Sequence, residues 1–391
     1  MIRDDVAARG QEIAARARHW LDERALPLWS DAGFDAANGV FHERLDFAGR
    51  PAEDAPRRLM VQARQISVFA RAALEDGFAL GRDLAVTAAE NMIDRWLAAD
   101  GAPGWVFSVD PDGAVVDPCR DLYAHAFVLY GLAWAHRLDP SDRIVAAVDD
   151  TLVFLDTAFA DPIAGGWWDH LPVGGPRRSQ NPHMHLFEAL LELHEAGLGD
   201  DAVLDRCRAL DALAATRFLA ADRSVLREDF AADWTVAPSE GEGRVEPGHL
   251  LEWAWLLRRF ETATGEDRGD RVAPLIRTAL DKGIDRATGR IVDEIGEDGR
   301  LLRASSRSWP HAEACKALAT EILRGRGELA GDLVAVAARL LEAHCRTEFH
   351  GGWIDHLDAE DAPMSPAMPA STLYHVYGGL KAVESVFAPR G

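Results

Sequence analysis

Histidine is the residue type whose placement in this chain points to chemistry. Six of the 14 histidines, His125, His183, His185, His249, His311 and His375, sit in short polar and aromatic segments that open helical patterns. Those segments are Gln62-Ala-Arg64, Asp121-Leu-Tyr-Ala-His125, Asn181-Pro-His-Met-His185, Glu246-Pro-Gly-His249, Trp309-Pro-His-Ala-Glu313 and Ser371-Thr-Leu-Tyr-His375. Imidazole titrates near neutral pH and suits moving a proton on and off a substrate. An aldose offers such a proton at C2 once its ring opens and C2 lies beside a carbonyl. One histidine would assist ring opening, and another would remove the C2 proton to give an enediol held by cationic or hydrogen-bonding groups. Return of the proton to C1 gives a ketose, and return to the other face of C2 gives an epimer.

Helical spacing supports convergence of these groups. Asn181, His185 and Glu188 share one face, as do His249, Glu252 and Trp253, and Asp121 and His125, and Trp309 and Glu313. Trp309 and Tyr123 bring flat apolar surfaces for sugar C–H groups, while Arg64, Asn181, Glu252 and Glu313 bring hydrogen-bonding groups for hydroxyls. His183 and His185 form an His-x-His pair, but residues two apart on a helix point in different directions, so no metal site is expected there.

The elements that must position these residues repeat. Arg64, His125, His185, His249, Glu313 and His375, taken as markers, are spaced 60 to 64 residues apart. Each marker follows a short apolar or aromatic run that reads as a hairpin. Those runs start at Gly39, Gly104, Gly165, Ser224, Gly289 and Gly351, 59 to 65 residues apart. A second, more amphipathic helix completes each unit, with Ser141–Phe159 and Asp332–Cys345 as examples. Six helical hairpins at one period predict an (α/α)6 barrel, all-α apart from short β-hairpins at one end, with apolar inner helices and outer helices wet on one face. An open solenoid would need polar capping repeats that the sequence lacks. The whole chain, 1–391, reads as one domain.

The bulk numbers narrow the partners. A formal charge of −22 excludes a basic face for nucleic acid or an anionic membrane. Cys119, Cys207, Cys315 and Cys345 form no CxxC pair and read as reduced thiols. No stretch approaches the 18 apolar residues of a membrane span, and a cytoplasmic enzyme is expected. The exposed outer layer would accommodate a homodimer.

With these residues in view, the chain resembles the N-acylglucosamine 2-epimerase superfamily, which includes cellobiose 2-epimerase, mannose isomerase and sulfoquinovose isomerase. The matching stretches run from Gln62-Ala-Arg64 through Asn181-Pro-His-Met-His185-Leu-Phe-Glu188, Glu246-Pro-Gly-His249-Leu-Leu-Glu252-Trp253 and Trp309-Pro-His-Ala-Glu313 to Tyr374-His375. The resemblance implies the same barrel and no metal or organic cofactor. It implies that His249 and His375 are the proton-transfer pair and that Arg64, Asn181, His185, Glu252, Trp309 and Glu313 bind or orient the sugar. Tyr123, His125, His183 and His311 complete the candidate substrate-binding set. Several relatives carry Trp-Trp-Pro where this chain has Ser308-Trp309-Pro310, which suggests a substrate smaller than a disaccharide. The leading expectation is therefore an aldose–ketose isomerase of the D-mannose/D-fructose type, with 2-epimerisation as the alternative. An inverting glycoside hydrolase using Glu252 and Glu313, or a non-catalytic sugar-binding barrel, stands behind these.

Overall fold

The computed structural model describes residues 2–175, 177–222, 224–236, 243–346 and 349–388. The chain opens with α1 (Asp4–Trp20), which continues through a π turn into the short α2 (Leu26–Asp31). Five helical hairpins follow: α3 (Leu59–Glu75) with α4 (Gly81–Trp96), α5 (Leu122–Leu138) with α6 (Asp142–Phe154), α7 (Gln180–Ala196) with α8 (Val203–Leu213), α9 (Pro247–Thr264) with α10 (Gly269–Thr278), and α11 (Ser308–Leu323) with α12 (Ala330–Arg339). The last inner helix, α13 (Leu373–Phe387), finds its outer partner in α1, so the two ends of the sequence together make the sixth unit. The inner helices α3, α5, α7, α9, α11 and α13 form a closed ring, with α13 returning to α3. The predicted closed (α/α)6 barrel is what the chain adopts.

The expected helix over Ser141–Phe159 is α6 plus the π turn Leu155–Phe159, and that over Asp332–Cys345 is most of α12 plus the π turn Leu340–His344. The inner helices are buried almost all round because each packs on two inner neighbours and one outer helix. Glycine permits the closest approaches: a Cβ on Gly131 of α5 would lie 2.6 Å from the Ala63 carbonyl of α3. Leu122, Phe127, Leu190, Leu251, Leu318 and Val376 are among the buried apolar residues that fill the interior.

Closure is repeated at the loop end. Six short antiparallel ladders join successive units, each using the strand that precedes an inner helix. Arg57–Arg58 pairs with Ser108–Val109, Arg120–Asp121 with His170–Leu171, and Arg177–Ser179 with Asp229–Ala231. Arg244–Val245 pairs with Glu294–Gly296, and Ser306–Arg307 with His356–Leu357. The last ladder sets Ala367–Pro369 against Arg44–Asp46, with Met368 opposite Leu45, and joins the end of the chain to its beginning.

A recurring side-chain bond locks four of the six inner helices, α3, α5, α7 and α11, to their hairpins. The fourth residue past the N-cap of α5, α7 and α11 is His125, His183 and His311. Each donates from Nδ1 to the carbonyl of the N-cap residue, at 2.7, 3.1 and 2.8 Å. Each accepts at Nε2 from a hairpin N–H, that of Trp105, Trp167 or Ile291, at 3.1 to 3.2 Å. In α3 the same position is Gln62, which bonds both the N–H and the carbonyl of Phe41 at 2.7 and 2.9 Å. Both imidazole nitrogens are thereby consumed, and burial holds the rings neutral, lowering His125 to about 4 and His183 to about 3. The expectation that His125, His183 and His311 touch substrate is corrected here: they are fully buried wall fixtures that satisfy backbone groups.

Replacing His125 with leucine strands the Trp105 N–H in an apolar wall, at a cost of about 1–3 kcal/mol. Denaturant unfolding should show that loss while kcat per folded molecule is retained. A fall in kcat with unchanged stability would return His125 to the site.

Candidate active site

The first turns of the inner helices surround a cavity of about 310 Å³ on the barrel axis. Two positions in each turn supply most of its lining. The second residue past the N-cap gives Met60, Tyr123, Asn181 and Trp309; the sixth gives Arg64, His185 and Glu252. In α13, which is preceded by a 3-10 turn (Ala370–Thr372), Ser371 and His375 take these places. His249 reaches the cavity from the third position of α9. Glu313 occupies the sixth position of α11 but lies just behind the wall, against His375. The sixth residue of α5 is Phe127, so His125 was two residues out of phase as a marker.

Each of the cavity's three histidines rests on a carboxylate through Nδ1. His249 lies 2.9 Å from Glu228 Oε2, and Gln180 Nε2 donates to the same oxygen at 2.8 Å. Gln180 is itself held by Trp253, whose indole N–H donates to Gln180 Oε1 at 2.6 Å. His375 Nδ1 lies 2.6 Å from Glu313 Oε1, and His185 Nδ1 lies 3.1 Å from Glu188 Oε2. In every case Nε2 is the nitrogen left for a substrate. Trp309 stands between the first two, its ring centroid 4.8 Å from His249 and 5.8 Å from His375.

The two outer members of this set titrate in opposite directions. Burial works against charging His249, but the nearby Glu228 and Glu246 carboxylates outweigh it and raise its pKa. Burial also works against charging His375, and there the cations Arg64 and Lys316 add to it, so this ring is held neutral well below its ordinary value. Such a division is how one site assembles an acid and a base at the same pH.

Arg64 is fixed by Tyr123 and the Ser371 carbonyl, to which it donates at 2.5 and 3.0 Å, and its guanidinium lies 4.0 Å from the Phe127 ring centroid. Arg307 donates to Asp293 at 3.0 Å and to Glu246 at 2.8 Å. Ser308 donates to Asp355 at 3.0 Å. The polar atoms without a protein partner are informative: both carboxylate oxygens of Glu252 and Oδ1 of Asn181 are buried and unpaired. Burial and the neighbouring Glu313 raise the Glu252 carboxyl well above its usual range. Buried polar atoms left unpaired are costly unless a ligand uses them, and these belong to residues that line the cavity.

Arg64, Asn181, His185, His249, Glu252, Trp309, Glu313, His375 and Tyr123 are thus brought together. Glu228, Gln180, Tyr374 and Arg307 belong to the same network and were not singled out from sequence. Tyr374 lies within the Ser371–His375 motif and donates to Glu188 at 2.5 Å. Three sets, His185/Glu188/Glu252, Glu228/Glu246/His249 and Glu252/Glu313/His375, bring possible metal-ligand atoms within 4.8 Å of one another. His183 is not among them, since its ring faces the Trp167 hairpin instead.

Comparison with known proteins places this geometry. The model of the N-acylglucosamine 2-epimerase family matches residues 39–379. The chain belongs to this family. A Rhizobium meliloti (strain 1021) protein described as mannose-6-phosphate isomerase is 32% identical over 386 residues, covering 95% of this chain and 96% of its own. A Thermobifida fusca D-mannose isomerase is 29% identical, covering 93% of each chain. The solved cellobiose 2-epimerase of Spirochaeta thermophila DSM 6192 superposes with a TM-score of 0.84 at 21% identity, covering 96% of this chain and 98% of its own, and shares the fold. N-acylglucosamine 2-epimerase family members and these relatives are isomerases and epimerases, and this chain is an enzyme of that class. No helix among the described residues is long and apolar enough to cross a membrane.

Glu228→Gln removes the charge that raises His249. The His249 pKa should fall, and kcat should drop on the order of 10²-fold or more, as when the carboxylate orienting a catalytic histidine is neutralised. An NMR titration of His249 that is unchanged in this variant would remove Glu228 from the machinery.

Proposed function

We propose that this enzyme interconverts a free, unphosphorylated aldose and its 2-ketose, with D-mannose and D-fructose as the first pair. The observation that carries this reading is the pair of carboxylate-backed histidines facing one small cavity on either side of Trp309. His249, its pKa raised by Glu228 and Glu246, supplies a proton to the ring oxygen and takes up the O1 hydroxyl proton, opening the ring. His375, held neutral, takes the C2 proton on Nε2. The C–H electrons form the C1=C2 enediol while O1 takes a proton from His249. Redelivery of the proton from His375 to C1, with the O2 proton passing to His249, gives the ketose. Arg64 and a protonated Glu252 stabilise charge developing on the enediol oxygens.

Cavity size and charge support a neutral monosaccharide. About 310 Å³ lies at the low end of the range for small-molecule sites, roughly 300–1,000 Å³. Both lining arginines are bonded to protein partners, Arg64 through its two terminal nitrogens with only Nε unpaired, and the acids Glu246 and Asp355 line the same space. A buried phosphate would meet no unpaired arginine among the described lining residues, a cost of several kcal/mol.

The same two histidines would serve 2-epimerisation if the proton returned to the opposite face of C2. An inverting hydrolase is disfavoured, since Glu252 and Glu313 approach within 4.8 Å, and such enzymes separate their carboxylates by about 6.5–9.5 Å to admit water.

In deuterated water, D-mannose should give D-fructose as first product with deuterium at C1, and EDTA should leave the rate unchanged. Turnover of D-mannose should exceed that of its 6-phosphate by about 10²-fold in kcat/KM. Glucose as first product would make the enzyme a 2-epimerase, and preference for the phosphate would overturn the neutral-sugar reading.

A further inference from the structure

A second cavity, of about 540 Å³, lies at the opposite ends of the inner helices. Lys316 lines it, together with Arg71, Arg137, Trp255 and Tyr374. Lys316 sits on α11 one turn beyond Glu313 and is only 7% exposed. Its Nζ lies 3.8 Å from the Trp255 ring centroid, 4.0 Å from Glu188 Oε1 and 2.6 Å from Glu313 Oε2. The other oxygen of Glu313 lies 2.6 Å from His375 Nδ1. Lys316, Glu313 and His375 therefore form one line from the rear cavity to the front one.

One proton lies between Glu313 and His375, and its owner decides what the front cavity sees. If Glu313 is ionised, it accepts the Nδ1–H of His375, and Nε2 presents a lone pair to the substrate. If Glu313 is neutral, its O–H donates to Nδ1, and Nε2 carries a hydrogen and cannot accept the C2 proton. Burial and the Glu188 carboxylate press towards the neutral acid, whereas Lys316 from α11 and Arg64 from α3 press towards the carboxylate. Tyr374 from α13 and His185 from α7 also face this cluster. Of the two cations, Lys316 is the one in contact with Glu313.

We propose that Lys316 is a positioning residue that keeps Glu313 ionised and thereby fixes His375 as the Nδ1–H tautomer with Nε2 free to act as base. The catalytic consequence rests on the assignment of His375 as the base; the tautomer itself does not. The balance is fine, since burial, opposed by Lys316, leaves the Glu313 carboxyl raised to about 7. A group raised in this way is neutral below that pH, so the native enzyme should lose activity as pH falls through about 7. Without the ammonium the carboxyl rises further, and the acid limb of kcat moves to higher pH, with about a fivefold loss at pH 7 for the first unit moved and about tenfold for each further unit.

The test is the ¹⁵N–¹H spectrum of His375 with the pH dependence of kcat. Native enzyme at pH 8 should show the Nδ1–H tautomer. Lys316→Met should show Nε2–H at neutral pH, a displaced acid limb and recovery of kcat as pH rises, whereas Lys316→Arg should keep the native tautomer. A native Nε2–H tautomer overturns the proposal whether or not the variants fold. A pH-independent loss in Lys316→Met with its tautomer unchanged also overturns it, by showing that the lysine serves packing alone. Full kcat in His375→Asn would instead sink the base assignment and leave the tautomer result standing.

Discussion

The site depends on the angular difference between the fourth and sixth residues past the N-cap of each inner helix. Two residues on an α-helix are separated by about 200° of rotation, so these positions face opposite ways. The fourth looks outward and bonds the hairpin of its own unit through Gln62, His125, His183 and His311. The sixth looks inward, as Arg64, His185, Glu252 and His375. Without the outward bond, the helix end that carries the inward residue would not be registered against its hairpin. The wall histidines act on function only through this fixing of register.

The interior holds more ionisable groups than a packed core tolerates without compensation. Glu188, Glu228, Glu252 and Glu313 are all buried. Three of them are hydrogen-bonded to an imidazole, and the exception is Glu252, whose oxygens accept no hydrogen bond, Oε1 lying 3.9 Å from His185 Nδ1. A histidine with its own carboxylate has a fixed ring orientation and a defined exposed nitrogen. What differs between His249 and His375 is the second neighbour. Glu246 adds to the carboxylate beside His249, while Arg64 and Lys316 oppose protonation of His375. The pKa values of two similar dyads are thus shifted in opposite directions by charges one shell further out.

Much of this was legible in the sequence, because a period near 62 residues can be seen without knowing any contact. The alternation of apolar and amphipathic helices followed from it, as did closure, since no unit had a polar outer cap. The closing helix α1 was not foreseen as the sixth outer partner, because pairing the first helix with the last is a property of the ring and not of any local segment. Histidine was an imperfect marker for the inward phase, since it stands at the fourth position in His125, His183 and His311 and at the sixth in His185 and His375. Counting from the N-cap would have separated them: Asp121, whose side chain accepts from the Ala124 N–H, starts the count that puts Phe127 inward. Glu228 lay beyond sequence reasoning, because it sits 21 residues before His249, in a hairpin whose register is set by the neighbouring ladder.

The arrangement also bears on why a sugar and not an anion suits the cavity. Inner helices point their N-terminal first turns at it, and helix N-termini carry partial positive charge that attracts anions. Left to itself, such a ring would favour a phosphate. The chain supplies its own anions instead: Glu246 and Asp355 line the cavity, and Glu228 and Glu313 stand directly behind it. Their charge offsets the positive ends, and the protein's arginines are drawn onto them or onto carbonyls. What remains is a surface of fixed donors and acceptors, with an indole between two proton carriers, and little net attraction for a charged group. A neutral polyol loses little on entering such a space, whereas a dianion would have to displace carboxylates already in place. Under the proposed function, specificity for an uncharged substrate comes from acids that fix the orientation of the cavity histidines.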